Sequence, residues 1–247
     1  MKVSIILPVY NEEERLPRAL NRLVEYLIGQ EIEYEIIVAA DGCTDKSVDI
    51  AEEYALENPN IIVVLNRDRL GKGGGFLNGC KVASGDVFFL YDVDMAVPPD
   101  EIPRILNMMN DERVDLIFGS RHLPKSIILV KAPVLRRFLS KTYNRFFRLL
   151  FGLDIRDSQC GFKAVRREVV EFLSPKLRKF GYAFDVELAV KASKYGFKIV
   201  EVPITWSYVE GSKIRILLQS FEIGKDTITL WFSELISARA PPRILGG

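Results

Sequence analysis

The feature that most constrains this chain is a series of short apolar runs separated by helical spacings in the first 120 residues. Residues 2–7 (KVSIIL), 35–39 (EIIVA) and 61–65 (IIVVL) are continuous rather than alternating. A strand with one wet face alternates, so continuous runs predict strands covered on both faces. Residues 86–91 and 114–119 supply a fourth and a fifth strand. Between the first two runs, Leu16, Leu20, Leu23, Val24 and Leu27 recur at helical spacing over residues 12–28. Thr44 is placed to cap a helix running to about Glu57. A helix follows the Gly-rich loop 66–75 (NRDRLGKGGG), and Pro98-Pro99 opens another to about Asn110. Strand and helix in alternation predict an α/β fold with a parallel sheet and right-handed crossovers.

In such a sheet, ligands bind beyond the carboxyl ends of the strands. Five polar clusters fall there: Pro8 to Glu12, Asp41-Gly42, residues 72–75, Asp92-Val93-Asp94 and Ser120-Arg121. Their convergence on one rim is the first functional signal. Further along, residues 124–153 form a basic amphipathic segment, 184–196 a helix and 198–204 (KIVEVPI) another strand. Residues 214–235 read as one or two amphipathic helices, with Gly224 as the point of interruption, and the tail ARAPPRILGG reads as irregular.

Composition excludes several classes. The chain has 247 residues, 48% of them apolar and 27% charged, an ordinary globular mixture that rules out a disordered or low-complexity protein. The formal net charge of +1 hides an uneven distribution. Residues 1–120 carry 11 basic and 22 acidic side chains, whereas residues 121–167 carry 12 basic and 2 acidic. The chain is therefore no general nucleic-acid binder, but one stretch calls for an anionic neighbour. Cys43, Cys80 and Cys160 lie far apart without a CxxC pair, and His122 is the lone histidine. Small apolar thiols in a reduced, cytoplasmic compartment are the expectation, not a thiol nucleophile. No apolar stretch approaches about 18 residues, so no spanning helix is expected, and the N-terminus runs straight into a strand without a signal peptide.

Two carboxylates one residue apart, Asp92 and Asp94, follow directly on an apolar strand. Set in a turn, they can converge on a hard cation such as Mg²⁺ or Mn²⁺, which would bridge and neutralise a diphosphate. Asp41 can accept a hydrogen bond from a base or ribose, or simply form its turn. The glycines at 71 and 73–75 allow close backbone approach to an anion, with Lys72 as a point charge. This loop fits neither the phosphate-loop pattern nor G-x-G-x-x-G, and the first strand leads to PVYNEE instead of a glycine turn, so a dinucleotide site is not expected. His122 reads as structural, and Trp206 as packing with sugar stacking open. If residues 135–153 form a helix, Leu135, Phe138, Leu139, Phe146, Leu149, Leu150 and Leu153 share one face, and Arg137, Lys141, Arg145 and Arg148 the other. That pattern suits either an interfacial helix on anionic lipid or a helix packed on the core.

These strings resemble a known family. Residues 2–13 (KVSIILPVYNEE), the DGCTD at 41–45, the glycines to 75 and the DVD at 92–94 are similar to the nucleotide half of family 2 glycosyltransferases. Residues 155–163 (IRDSQCGFK), 183–188 (AFDVEL), Trp206 and the EGSK at 210–213 resemble the dolichyl-phosphate glucosyltransferase group, close to the dolichyl-phosphate mannose synthases. The likeness extends to about Asp226. It implies a GT-A type mixed, mainly parallel sheet flanked by helices, with the basic amphipathic insert and C-terminal amphipathic helices appended. A catalytic domain over 1–211 would divide into a nucleotide-sugar half (1–120) and an acceptor insert (121–167), with 212–247 as helices and tail.

Carried over residue by residue, the resemblance places Pro8, Tyr10 and Glu12 in the nucleotide pocket and Asp41 on base or ribose. Asp92 and Asp94 would hold Mg²⁺ or Mn²⁺ and the diphosphate. Lys72, Ser212 and Lys213 would attend the donor phosphates, and Arg121 and Lys163 the acceptor phosphate. Asp157, Gln159, Asp185 and Glu187 would stand near the sugar, with Asp185 counted among the catalytic set. One departure is Ala96, where mannose synthases usually have a polar residue; it weakens any metal role there and leans away from a mannose synthase. The implied reaction is inverting transfer of a hexose from UDP-glucose to a polyprenyl or dolichyl phosphate. The alternatives are GDP-mannose as donor or a soluble acceptor. The implied partners are the donor, the lipid acceptor and the cytoplasmic face of a membrane, peripherally bound, with an oligomer open and no nucleic acid.

Overall fold

The computed structural model describes residues 1–111, 113–178, 181–210 and 216–236, with the backbone alone over 216–220. Among these residues the order is β1 (Val3–Val9), α1 (Leu16–Ile28), β2 (Tyr34–Asp41), α2 (Ser47–Glu57), β3 (Ile61–Asn66), α3 (Lys72–Val82), β4 (Val87–Leu90), α4 (Glu101–Met109) and β5 (Leu116–Ser120). There follow β6 (Ile127–Val130), α5 (Val134–Phe151), β7 (Lys163–Arg166), α6 (Arg167–Leu173), α7 (Phe184–Lys194), β8 (Ile199–Pro203), β9 (Thr205–Ser207) and α8 (Ile216–Ile236).

Seven strands form one sheet in the order β3-β2-β1-β4-β7-β5-β8, and β6 pairs with β9 in a separate ribbon. Every pairing in the large sheet is parallel except those of β7, which runs antiparallel to both β4 and β5. The runs of β1 and β2 are covered on both sides, as their composition requires, whereas β3 lies at the sheet edge, half-buried, with Leu65 exposed. Ile5, Leu7, Ile36 and Val38 pack with Leu16, Leu20, Leu23, Ile102 and Ile105 from α1 and α4. Ile6, Ile37 and Ala39 point the other way, into a cluster that Phe76, Val170, Phe184 and Leu188 build from α3, α6 and α7.

Several expectations change. Thr44 does not cap α2: its amide donates to Asn11 Oδ1, and Asp45 Oδ1 accepts from the Ser47 amide at the helix start. Gly224 does not interrupt α8, which runs unbroken through it. The basic insert is not wholly peripheral, because its last residues form β7 inside the central sheet. Four residues, KAVR, are too short for any period to reveal a strand.

Of the two readings of α5, the apolar stripe does not supply the core-packed face. Asn144 and Phe147 turn inward, while Leu135, Phe138 and Leu149 of the apolar stripe are exposed and Arg148 is half-buried. The inward face must meet the Ser158 loop and α8, so polar complementarity outweighs the raw apolar stripe there. Leu230 and Thr227 of α8 are buried, and Glu234 accepts from Lys191 and Lys194 of α7. No described helix is long and apolar enough to cross a membrane.

Candidate active site

The rim of the large sheet opens into a cavity of about 1510 Å³. Pro8, Tyr10, Glu12, Asp41, Lys72, Asp92, Asp94, Arg121 and Asp185 all line it. Ser212 and Lys213 lie outside the described residues. At one end of the cavity, Tyr10 follows directly on β1, and its ring lies 3.7 Å beneath the Arg69 guanidinium. The Glu12 carboxylate is held by Arg15 in a two-point contact of 2.6 and 2.7 Å. Asp41 accepts from the amides of Leu70 and Gly71 at 2.8 and 2.7 Å, so it fastens the Gly-rich loop against the end of β2. That loop delivers α3, and Gly73 permits the contact: a Cβ there would stand 2.2 Å from the Phe184 ring.

Asp92 and Asp94 converge because the chain turns sharply after β4. Met95 takes a left-handed φ of 54°, its amide donates to the Asp92 carbonyl, and Asp94 Oδ1 accepts from the Ala96 amide. A methionine in that region is strained, and such strain gathers at functional sites. Burial, then the charge of Asp92, raises the Asp94 carboxyl above its ordinary range, and the Ala96 amide, Lys72 and Arg15 pull against them. Lys72 Nζ lies 2.5 Å from Asp92 Oδ1. Burial alone would lower the Lys72 ammonium, but Asp92, Asp185 and Asp94 together hold it well above the usual lysine range.

The antiparallel strand brings the QCG string to the same point. Lys163 pairs with Leu90, so continuing the register by two residues sets Gly161 opposite Asp92. The fit is tight: a Cβ on Gly161 would stand 1.7 Å from Asp92 Oδ2. Two hard carboxylates on a fixed turn, one of them braced by backbone, suit a divalent cation that also takes phosphate oxygens. Among the described residues no group of three or more His, Cys, Asp or Glu side chains could hold a metal ion, so further ligands would have to come from the bound substrate or water.

The acceptor side differs from expectation. Lys163 is fully buried outside the cavity wall, 2.9 Å from Asp185 Oδ1, and donates to the Cys160 carbonyl. It does not line the cavity itself but pairs with Asp185, which does. The exposed pattern of a QCGFK string gives no hint of this, because burial follows from β7 entering the sheet. Arg121 lines the cavity with Nε and Nη2 committed to the buried Asp157 carboxylate at 2.7 Å each. Its guanidinium also lies 5.4 Å from the Trp206 ring, which lines the cavity too. Gln159 lines the cavity, whereas Asp157 and Glu187 are buried behind it. The His122 imidazole, its pKa lowered chiefly by burial, meets Ser140 of α5 at 3.3 Å.

Sequence reasoning missed Arg69, Gly161 and the α5 wall. Ser140, Asn144 and Arg148 of α5 line the cavity, as do Glu222 and Asp226 of α8. Asn144 Nδ2 and Arg148 Nε are buried and find no hydrogen-bond partner among the described residues. Only the run of positive charge over 121–167 signalled that wall beforehand.

A sequence profile described as glycosyl transferase family 2 matches residues 4–173. The chain belongs to that family. This family 2 chain is 32% identical to a dolichyl-phosphate beta-glucosyltransferase of Dictyostelium discoideum, over 95% of the chain and 75% of that protein. It is 35% identical to a polyprenol monophosphomannose synthase of Mycolicibacterium smegmatis, over 87% and 83%. It is 30% identical to the glycosyltransferase AglD of Haloferax volcanii over 99% of its own length, but spans only 39% of that protein. Among solved structures, glucosyl-3-phosphoglycerate synthase of Mycobacterium tuberculosis, crystallised with Mn²⁺, UDP and glucosyl-3-phosphoglycerate, superposes with a TM-score of 0.66. That likeness is 19% identical and covers 94% of this chain and 79% of the other, and it establishes the GT-A fold.

Proposed function

We propose that this glycosyltransferase moves a hexose from a nucleotide sugar to a polyprenyl phosphate, with inversion, giving a β-linked glycosyl phosphate lipid. UDP-glucose is the first candidate donor. GDP-mannose is the second, because relatives of similar identity include a polyprenol monophosphomannose synthase. The observation that carries the reading is a single cavity joining the Asp92–Asp94 turn to a wall of cationic and unpartnered donors on α5. One end suits a nucleotide diphosphate, and the other suits a second anion.

In this mechanism Asp92 and Asp94 would hold Mg²⁺ or Mn²⁺ at the donor diphosphate. The ion supplies charge neutralisation of the leaving group when bound. Tyr10, Arg69 and the loop fastened by Asp41 form the nucleotide end, and Lys72 adds a positive charge beside the phosphates. The acceptor phosphate sits against Arg121 with Asn144 and Arg148 as further donors, replacing the role expected of Lys163. A phosphate oxygen is ionised near neutral pH, so no strong base is required of Asp185, which Lys163 holds in place at 2.9 Å. Positioning and electrostatics carry the rate. Within 1–211, residues 1–120 serve the donor and 121–167 the acceptor.

The enzyme works peripherally, at the cytoplasmic face of a membrane. What supports this is the exposed face of α5, where Val134, Phe138 and Leu149 alternate with Lys141 and Arg145. Exposed Ile127 and Leu129 on β6 and Phe221, Phe232 and Leu235 on α8 add apolar surface.

The test is transfer from labelled UDP-glucose against GDP-mannose to a polyprenyl phosphate, with and without Mn²⁺ or Mg²⁺. Lipid-linked product from one donor, lost on chelation, is expected. Asp94→Ala is expected to lower turnover by about 100-fold or more while the fold stays intact. Unchanged turnover of that variant in saturating Mn²⁺ would sink the metal assignment.

A further inference from the structure

An ammonium occupies the carboxylate that a divalent ion would need. Lys72 Nζ lies 2.5 Å from Asp92 Oδ1. The other oxygen, Oδ2, faces the Gly161 backbone so closely that a Cβ there would stand 1.7 Å away. Asp92 is thus in close contact with backbone on one side and paired with an ammonium on the other. Asp94 is tied to the Ala96 amide through Oδ1. With no third acidic or imidazole ligand among the described residues, an ion would complete its shell with water or with oxygens that the donor brings, and the charged donor oxygens are the stronger ligands.

We infer that Lys72 and the divalent ion compete for Asp92, so that the ion enters with the nucleotide diphosphate and Lys72 passes from Asp92 to the phosphates as it does so. The inference rests on the reading of Asp92 and Asp94 as the metal carboxylates. Its physics is simple. A +1 and a +2 charge cannot share one carboxylate oxygen without strong repulsion, but the diphosphate supplies enough negative charge to hold both. Lys72 then stands where negative charge accumulates on the leaving nucleotide. By linkage, UDP and the ion must tighten each other's binding by the same factor.

The test measures Mn²⁺ binding to the full chain by electron paramagnetic resonance, with and without UDP, for the wild type, Lys72→Gln, Lys72→Met and Lys72→Arg. Wild-type protein is expected to bind Mn²⁺ weakly alone and far more tightly with UDP. Removing the competitor in Lys72→Gln or Lys72→Met is expected to tighten Mn²⁺ binding without UDP by about three- to fivefold, as befits one partly exposed ion pair. Lys72→Arg keeps the cation and is expected to resemble the wild type. Equal or weaker Mn²⁺ affinity in folded Lys72→Gln or Lys72→Met overturns the inference. So does tight Mn²⁺ binding by the wild type without UDP, a measurement that needs no variant to fold. Absence of Mn²⁺ binding in every protein, with UDP present, overturns the metal reading as well. Loss of transfer to lipid with intact Mn²⁺–UDP coupling touches only the acceptor.

Discussion

At the scale of single residues, the rim is governed by what stands behind each functional group. The spacing of Asp92 and Asp94 was legible, and so was their place at a strand end. That they converge was not, because the left-handed Met95 that turns the chain is a conformation its side chain disfavours. Gly161 is the clearest case of a residue whose meaning is tertiary. In the sequence it is one glycine of a QCG string; in the fold it is the floor beneath Asp92. Gly161→Ala should therefore push the carboxylate aside while leaving the distant core intact. Calorimetric titration of UDP in the presence of Mn²⁺ is expected to show affinity reduced roughly 10- to 100-fold, the cost of misplacing a reacting group by about an ångström. Unaltered affinity in a folded variant would mean that Asp92 does not depend on this floor. Lys163 teaches the converse. Its charge suggested a ligand, but full burial beside Asp185 makes it a support.

At the scale of elements, long patterns were readable and short ones were not. β1 and β2 announce themselves because strands buried on both faces need continuous apolar residues. β7 has four residues, and β9 three, so neither contains a period to detect. Yet β7 is the element that carries the QCG string to the donor side, through its antiparallel register with β4. The helix α5 was foreseen, but which face meets the core was left open between two readings. Phe138 and Leu149 are 63% and 78% exposed, set among Lys141 and Arg145. Substituting both by glutamate removes apolar contact and adds like charge toward anionic lipid. Sedimentation with vesicles containing phosphatidylserine is expected to show binding weakened by about tenfold or more, with thermal stability nearly unchanged. Undiminished binding would assign the membrane surface elsewhere.

At the scale of the whole molecule, the two ends of the sheet do different work. The carboxyl ends carry the cavity, and the opposite end carries a stabilising lock. Glu35 is buried there and accepts from the Ser4 and Ser84 hydroxyls and the Ser84 amide, with Lys2 at 3.1 Å. Burial alone would raise its pKa, but these partners hold it at about 2. A folded pKa below the unfolded value stabilises above the unfolded pKa and is lost as pH falls through the folded one. Between about pH 4.5 and 2, the chain is expected to lose about 3 kcal/mol through Glu35 alone. In Glu35→Gln that share of the acid dependence should vanish, which denaturant titrations at pH 7, 4 and 2.5 can read directly. Charge shows the same division at larger scale: the acidic first half builds most of the sheet, and the basic stretch supplies α5 along one wall of the cavity. The sequence by itself determined the layered α/β class and the rim on which Asp92 and Asp94 line the cavity. Each of these follows from local periodicity and from where a strand ends. Only the tertiary structure decided which charges face the cavity and which are buried as partners. That choice depends on contacts such as Gly161–Asp92, Lys163–Asp185 and Arg121–Asp157, between residues 22 to 69 positions apart. Burial and pairing over such distances leave no periodic trace along a chain.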